Sequence, residues 1–175
     1  MYLISGNSRE LSESISLSSC LSEEGRVTIF IEGGCEMENL IKGDMAPDFA
    51  LMDQNGNLMK SSDFRGKKLL LYFYPKALTS GCTAQAQEVS LARGALAAQG
   101  IEAVGISPDL PDVQKKFDNK HELNFPLLSD ADHWVSDAYG VWGEKNMYGK
   151  IFNGIIRSSF LIDENGRIMQ AWYKV

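Results

Sequence analysis

The sequence predicts an α/β fold, a central sheet flanked by helices, on three observations. Apolar runs of strand length alternate with longer helix-forming stretches. An Asn-Gly pair between apolar residues recurs near both ends of the patterned region, at Asn55-Gly56 and Asn165-Gly166, which reads as a hairpin at each. The chain has 175 residues, 44% hydrophobic and 23% charged, enough for one domain with an ordinary core.

Taken in order, residues 49–59 read as the first hairpin, turning at Asn55-Gly56. Residues 67–74 (KKLLLYFY) form a continuous apolar run that stops at Pro75, as a buried strand does. Residues 82–99 are rich in Ala, Leu and Gln and end at Gly100, which predicts a helix with its stop signal. Residues 101–107 (IEAVGIS) are a β-branched strand. A helix over 110–123 follows, with Val113 and Phe117 on one face. Residues 126–129 form a short strand and residues 131–139 a helix. Residues 155–163 and 167–174 pair as a closing hairpin around Glu164-Asn165-Gly166.

The junction between the strand at 67–74 and the helix at 82–99 carries a thiol, Cys82, in the run Tyr74-Pro75-Lys76-Ala77-Leu78-Thr79-Ser80-Gly81-Cys82-Thr83. A helix N-terminus presents free N–H groups and the positive end of the helix dipole. Both favour a thiolate, the attacking form, whereas an ordinary cysteine is only about 3% thiolate at neutral pH. A buried structural cysteine is the competing reading.

The spacing Pro75-x-x-x-Thr79-x-x-Cys82 resembles the active-site signature of the peroxiredoxins. The wider string YFYPKALTSGCT is similar to the bacterioferritin-comigratory or PrxQ-type subfamily, whose usual form is YFYPKADTPGCT. The resemblance extends through Gly43-Asp44-Met45-Ala46-Pro47-Asp48-Phe49 and Ser61-Ser62-Asp63-Phe64-Arg65-Gly66-Lys67. It resumes at Phe125-Pro126-Leu127-Leu128-Ser129-Asp130, at Tyr139-Gly140-Val141-Trp142-Gly143-Glu144-Lys145, and at Ile156-Arg157-Ser158-Ser159-Phe160-Leu161-Ile162-Asp163. It runs collinearly from about Leu40 to the end.

The resemblance implies a thioredoxin-like fold of the peroxiredoxin type: a central mixed sheet, flanking helices and an N-terminal β-hairpin. It implies a thiol-dependent peroxidase that reduces hydrogen peroxide and alkyl hydroperoxides through a cysteine sulfenic acid, with no bound cofactor. Cys82 would be the peroxidatic nucleophile. The Thr79 hydroxyl would bond thiolate and peroxide. Pro75 would shield the thiolate, and it offers no N–H to compete for substrate. Arg157 would present its fixed fork of donors to the thiolate and the developing oxyanion. The Gly81 and Cys82 backbone N–H groups would bind substrate, with Trp142 a further substrate-facing candidate. Taken singly, Thr79 also reads as a helix N-cap, Arg157 as a surface ion-pair partner and Trp142 as core. The reductant would be thioredoxin, glutaredoxin or a small thiol. A peroxide-sensing or chaperone-like redox switch, acting through a partner, is the alternative.

Two departures from the subfamily pattern matter. Many relatives carry a resolving cysteine five residues after the first; here that position is Gln87, and no cysteine follows Cys82. Only Cys20 and Cys35, both upstream, remain as internal resolving candidates, so the expectation is a one-cysteine enzyme. Ser80 replaces the proline of TPGCT, which loosens the loop.

Residues 1–36 contain eight Ser and two Arg (Arg9, Arg26) against six Glu, and match nothing in the family pattern. Residues 37–175 are read as the peroxiredoxin domain. Residues 1–36 are read as an N-terminal extension: disordered, leader-derived, or a small β-segment using residues 27–31. Glu32-Gly33-Gly34 before Met37 suggests a translated ribosome-binding purine run. At the other end, relatives continue into one more helix; its absence predicts an exposed apolar face near Ile168 and Trp172.

The net charge of −6, without a basic run, argues against a nucleic-acid partner. No apolar segment approaches membrane-spanning length. Three scattered cysteines and no secretory layout fit a reducing, cytoplasmic location. His121 and His133 stand apart, read as surface or helix-end residues, and no metal-ligand spacing occurs. A monomer or weak homodimer is expected.

Overall fold

The structure, a computed structural model, describes residues 20–21, 27–28, 39–147 and 149–175. The chain divides into two compact units, Met1–Glu36 and Met37–Val175. In the first, β1 (Cys20–Leu21) pairs antiparallel with β2 (Val27–Thr28). The leader or disorder reading of residues 1–36, and the Cys20 and Cys35 thiols, lie outside the described residues.

The second unit is built on β5 (Lys68–Phe73). Strand alternation sends Leu69, Leu71 and Phe73 to one face and Tyr72, followed by Tyr74, to the other. Both faces are covered, which explains why this strand is apolar without interruption. Around it lie β3 (Ala50–Asp53), β4 (Leu58–Lys60), β6 (Ile101–Ser107), β7 (Leu127–Ser129), β10 (Ser158–Ile162) and β11 (Ile168–Tyr173), in the order β11-β10-β5-β6-β7-β3-β4. The centre, β5-β6-β7, is parallel, and both flanks are antiparallel. On the Tyr72 face, α1 (Ser80–Ala98) contributes Cys82 and Ala86 and α2 (Pro111–His121) contributes Phe117. On the other face, α3 (Trp134–Ala138) and the residue after it supply Val135 and Tyr139. This mixed sheet between helices is the thioredoxin-like α/β arrangement expected.

Both predicted hairpins form, and by one device. In Asp53-x-Asn55-Gly56-Asn57 the Asp53 carboxylate accepts from the Asn55 and Asn57 amides, each at 2.8 Å. In Asp163-x-Asn165-Gly166-Arg167 the Asp163 carboxylate accepts from the Asn165 and Arg167 amides at 2.9 and 2.8 Å. Gly56 and Gly166 take positive φ, 82° and 84°. Burial raises the Asp53 pKa, but bonds from the Asn57 backbone and side chain and from Asn55 outweigh it, so the carboxyl lies below its ordinary 3.8. A depressed folded-state value means the stabilisation is present above the unfolded value and is lost as pH falls through the folded one. Asp53→Ala is expected to cost about 1–2 kcal/mol at neutral pH. Melting curves taken from pH 7 down to about pH 2 should show the gap to the parent closing only below the ordinary carboxylate range. A gap constant with pH would show that the charge does not contribute.

Several boundaries differ from expectation. Helix α1 starts at Ser80 rather than Cys82, because Thr79, with extended backbone, serves as its N-cap position. The helix expected over 131–139 is confined to α3, because His133 has φ 50° and cannot continue a right-handed helix backwards. The buried Asp130 carboxylate receives its first-turn amides, from Val135 at 3.3 Å and Ser136 at 2.8 Å. Residues 155–163 are not one strand. β8 (Trp142–Met147) and β9 (Lys150–Ile155) form a separate hairpin, and β10 begins only at Ser158. The break holds because the Ile156 amide donates to the Val141 carbonyl at 2.7 Å, and it leaves Arg157 at the corner. Ile168 is not exposed: it sits in the main core, its backbone bonded to Gly43 and Asp44, whereas Trp172 is 41% exposed.

Candidate active site

Pro75 ends the chain's course along β5, and residues 75–79 turn it into α1. Cys82 therefore lies in the first turn of α1, 1% exposed, in the apolar cluster with Tyr72, Tyr74, Ala77 and Ala86. Its own N–H and that of Gly81 fall in the turn where a helix leaves its amides without intrahelical acceptors; the first bond runs from Thr83 to the Thr79 carbonyl at 2.8 Å.

Arg157 reaches this turn from the corner before β10. Its Nη2 donates to Cys82 Sγ at 3.1 Å. Its Nη1 donates to the Gly81 carbonyl at 3.2 Å and to Gln85 Oε1 at 2.7 Å. The ladder explains the meeting: Ser158 pairs with Phe73, so the residues just beyond each, Arg157 and Tyr74, are neighbours at the C-terminal end of β5. The structure thus brings Cys82, Gly81 and Arg157 together.

Thr79 precedes the helix as expected, but its hydroxyl neither caps nor bonds the sulfur. Oγ1 donates to the Lys76 carbonyl at 3.0 Å, which leaves its lone pairs available as acceptors. Trp142 stacks on His133, centroids 4.2 Å apart and planes within 3°, and packs against the main core. Gln87, at the position where relatives place a second thiol, is exposed on α1. Cys82 is a free thiol. Among the described residues, no group of three or more His, Cys, Asp or Glu is placed to hold a metal ion.

Sequence reasoning missed three features. Gln85 orients Arg157; its position three residues after Cys82, on the same helix face, was the available signal. Lys145 on β8 is close enough to sense both charges of the site. Burial and then Arg157 push its pKa down, and Cys82 pulls it up. Leu78 adopts φ 61° and is 42% exposed. That left-handed conformation costs a branched residue about 1–2 kcal/mol, and the Asp of the usual motif tolerates it better. Behind the sulfur, burial raises the Tyr72 phenol well above its ordinary range, with Tyr74 and Cys82 adding and Arg157 opposing. The wall of the site behind the sulfur therefore stays neutral.

Such an arrangement fits a thiolate attacking a small polar molecule held by a cationic fork and helix N–H groups. Comparison with known proteins agrees. Residues 42–171 match the model of the AhpC/TSA family. The Bcp sequence of Haemophilus influenzae is 51% identical over 138 residues, covering 79% of this chain and 89% of the relative. Peroxiredoxin Bcp of Escherichia coli is 48% identical over 132 residues, covering 75% and 85%. The solved structure of the bacterioferritin comigratory protein of Xanthomonas campestris, described for its alkyl peroxide reduction activity, superposes with a TM-score of 0.69. It is 35% identical, and the match covers 73% of this chain and 81% of that one.

Proposed function

From the premise that this chain belongs to the AhpC/TSA family, as a peroxiredoxin of the Bcp/PrxQ kind, we propose that it reduces peroxides with one cysteine of its own, Cys82, and an outside thiol. A peroxiredoxin is a thiol-dependent peroxidase. Sulfur attacks one peroxide oxygen, the O–O bond breaks, and the other oxygen leaves as hydroxide or alkoxide and takes up a proton to become water or an alcohol. Cys82, oxidised by two electrons, is left as a sulfenic acid.

Placement supports a role for each residue. Arg157 stabilises the thiolate before attack and the oxyanion during it. The Gly81 and Cys82 N–H groups hold the peroxide. Thr79, with its lone pairs available, accepts the proton side of the substrate. Pro75 closes the pocket without adding a donor.

The observation that carries the one-cysteine cycle is that Cys82 is the sole cysteine of residues 37–175, with Gln87 where a partner thiol would stand. A thiol from thioredoxin, glutaredoxin or a small molecule then attacks the sulfenic sulfur, releases water and forms a mixed disulfide. A second thiol of the donor frees Cys82 and leaves the donor oxidised. A cytoplasmic site of action, where such thiols are kept reduced, is part of the same proposal.

The test is the Cys20→Ser/Cys35→Ser double variant. It should keep turnover within about twofold of the parent, and one equivalent of peroxide with a sulfenate trap should give an adduct on Cys82. A stalled double variant would overturn the one-cysteine cycle. So would a loss of about two mass units in the parent, with Cys82 linked to Cys20 or Cys35.

A further inference from the structure

We propose that Asp109 is a positioning residue for peroxide reduction: its carboxylate latches the loop of residues 75–79, which presents Pro75 and Thr79 to Cys82. The inference rests on the peroxidase reading but not on the one-cysteine cycle.

The latch is one bond between distant parts of the chain. The Ala77 amide donates to Asp109 Oδ2 at 2.6 Å. Ala77 is buried in the cluster that holds Cys82, and the Asp109 carboxylate is the acceptor the fold provides for its N–H. The carboxylate is itself held from behind. Ser107 Oγ, at the end of β6, donates to the same Oδ2 at 3.0 Å and accepts from the Asp109 amide at 3.2 Å. Gln114 of α2 donates through Nε2 to Ser107 Oγ at 3.1 Å and to the Leu128 carbonyl of β7 at 2.7 Å. Ser107 and Gln114 are wholly buried. Two strands and a helix therefore fix a single carboxylate oxygen, and that oxygen fixes the loop.

The loop needs fixing. Leu78, immediately after the latched amide, is held at φ 61°, a conformation a branched side chain leaves when released. Among the described residues, the loop's other bonds do not reach the sheet: Thr79 Oγ1 donates to the Lys76 carbonyl within the loop, and the Thr79 carbonyl accepts from Thr83 of α1. The Asp109 carboxylate bonds Ala77 and Ser107, and its carbonyl accepts from Gln114 at 3.4 Å; none of these partners is Cys82 or Arg157, so it acts through the backbone rather than on the reacting atoms. A carboxylate acceptor gives a strong bond of this kind, and Asn keeps an acceptor oxygen at the same place.

The experiment compares single-turnover oxidation of Cys82 by hydrogen peroxide in the parent, Asp109→Ala and Asp109→Asn, read as sulfenate-trap adduct after rapid quench. Asp109→Ala should slow oxidation about ten- to a hundredfold, the loss expected when reacting groups are misplaced by an ångström. Asp109→Asn should recover to within about threefold of the parent. Because Asp109→Ala could fail to fold, amide exchange of Ala77 in the parent is measured as well, and should show at least about hundredfold protection. Equal rates for Asp109→Ala and the parent would overturn the latch. An Asn variant as slow as the Ala variant, or an Ala77 amide that exchanges at open-chain rate, would do the same. A parent that forms no sulfenate would overturn the peroxidase reading, and this inference with it.

Discussion

Replacing Arg157 by methionine should slow the reaction of Cys82 with hydrogen peroxide about a hundred- to a thousandfold, the loss seen when one preorganised donor to a developing oxyanion is removed. The guanidinium bonds the sulfur through Nη2 while Nη1 is held by the Gly81 carbonyl and Gln85. Methionine keeps the length and apolar stem and loses the charge and the fork. Lysine keeps the charge but has no fork to share between sulfur and Gln85, so Arg157→Lys should recover only part of the loss. Single-turnover oxidation isolates this step from recycling by the outside thiol. The Arg157 side chain is itself only partly buried, so the melting temperature should move by only a few degrees. A rate within about threefold of the parent would show that the helix N–H groups suffice and would remove Arg157 from the mechanism.

The second large effect is on stability. Phe160→Ala should cost about 3–5 kcal/mol, the range for truncating a fully buried aromatic residue. Phe160 has no exposed surface and meets three rings: Phe73 edge-on at 5.8 Å, Tyr139 at 5.1 Å and Tyr173 edge-on at 5.4 Å. These rings join β10, β5, β11 and the end of α3, so the cavity would open where four elements meet. Chemical denaturation reads the loss directly. A cost under about 1.5 kcal/mol would mean the neighbours collapse into the gap.

The parts of the fold that were legible in the sequence are those governed by local chemistry. β5 and α1 were found because an apolar run stops at a proline and a helix-forming run stops at a glycine. The two hairpins were found because the Asn-Gly turn signal is local; the Asp acceptor that each turn uses was seen only in the structure. The β8–β9 hairpin was not found, because Gly143, Glu144 and Lys145 interrupt the alternation that marks a strand. The late start of α3 was hidden as well, since His tolerates a left-handed backbone better than most residues but does not require one. At the site, Cys82 was legible from its junction, whereas Arg157 was visible only through the family resemblance. Its partner Gln85 could have been inferred from helix spacing. Asp109 could not, because the bond to Ala77 spans 32 positions and depends on how β6 ends beside the loop.

The pairing of Ser158 with Phe73 has a consequence for how this site can change over time. Cys82 and Arg157 stand 75 positions apart in the chain, yet the distance between them is governed by the alignment of two adjacent strands. Length changes in the connecting loops therefore leave the sulfur and the guanidinium where they are. One residue inserted between Arg157 and Ser158 would instead move the cation by a full strand step of about 3.3 Å and turn it toward the other face of the sheet. Natural variants should thus be free to differ in length in the loops between the two residues, and be held to zero tolerance at that join.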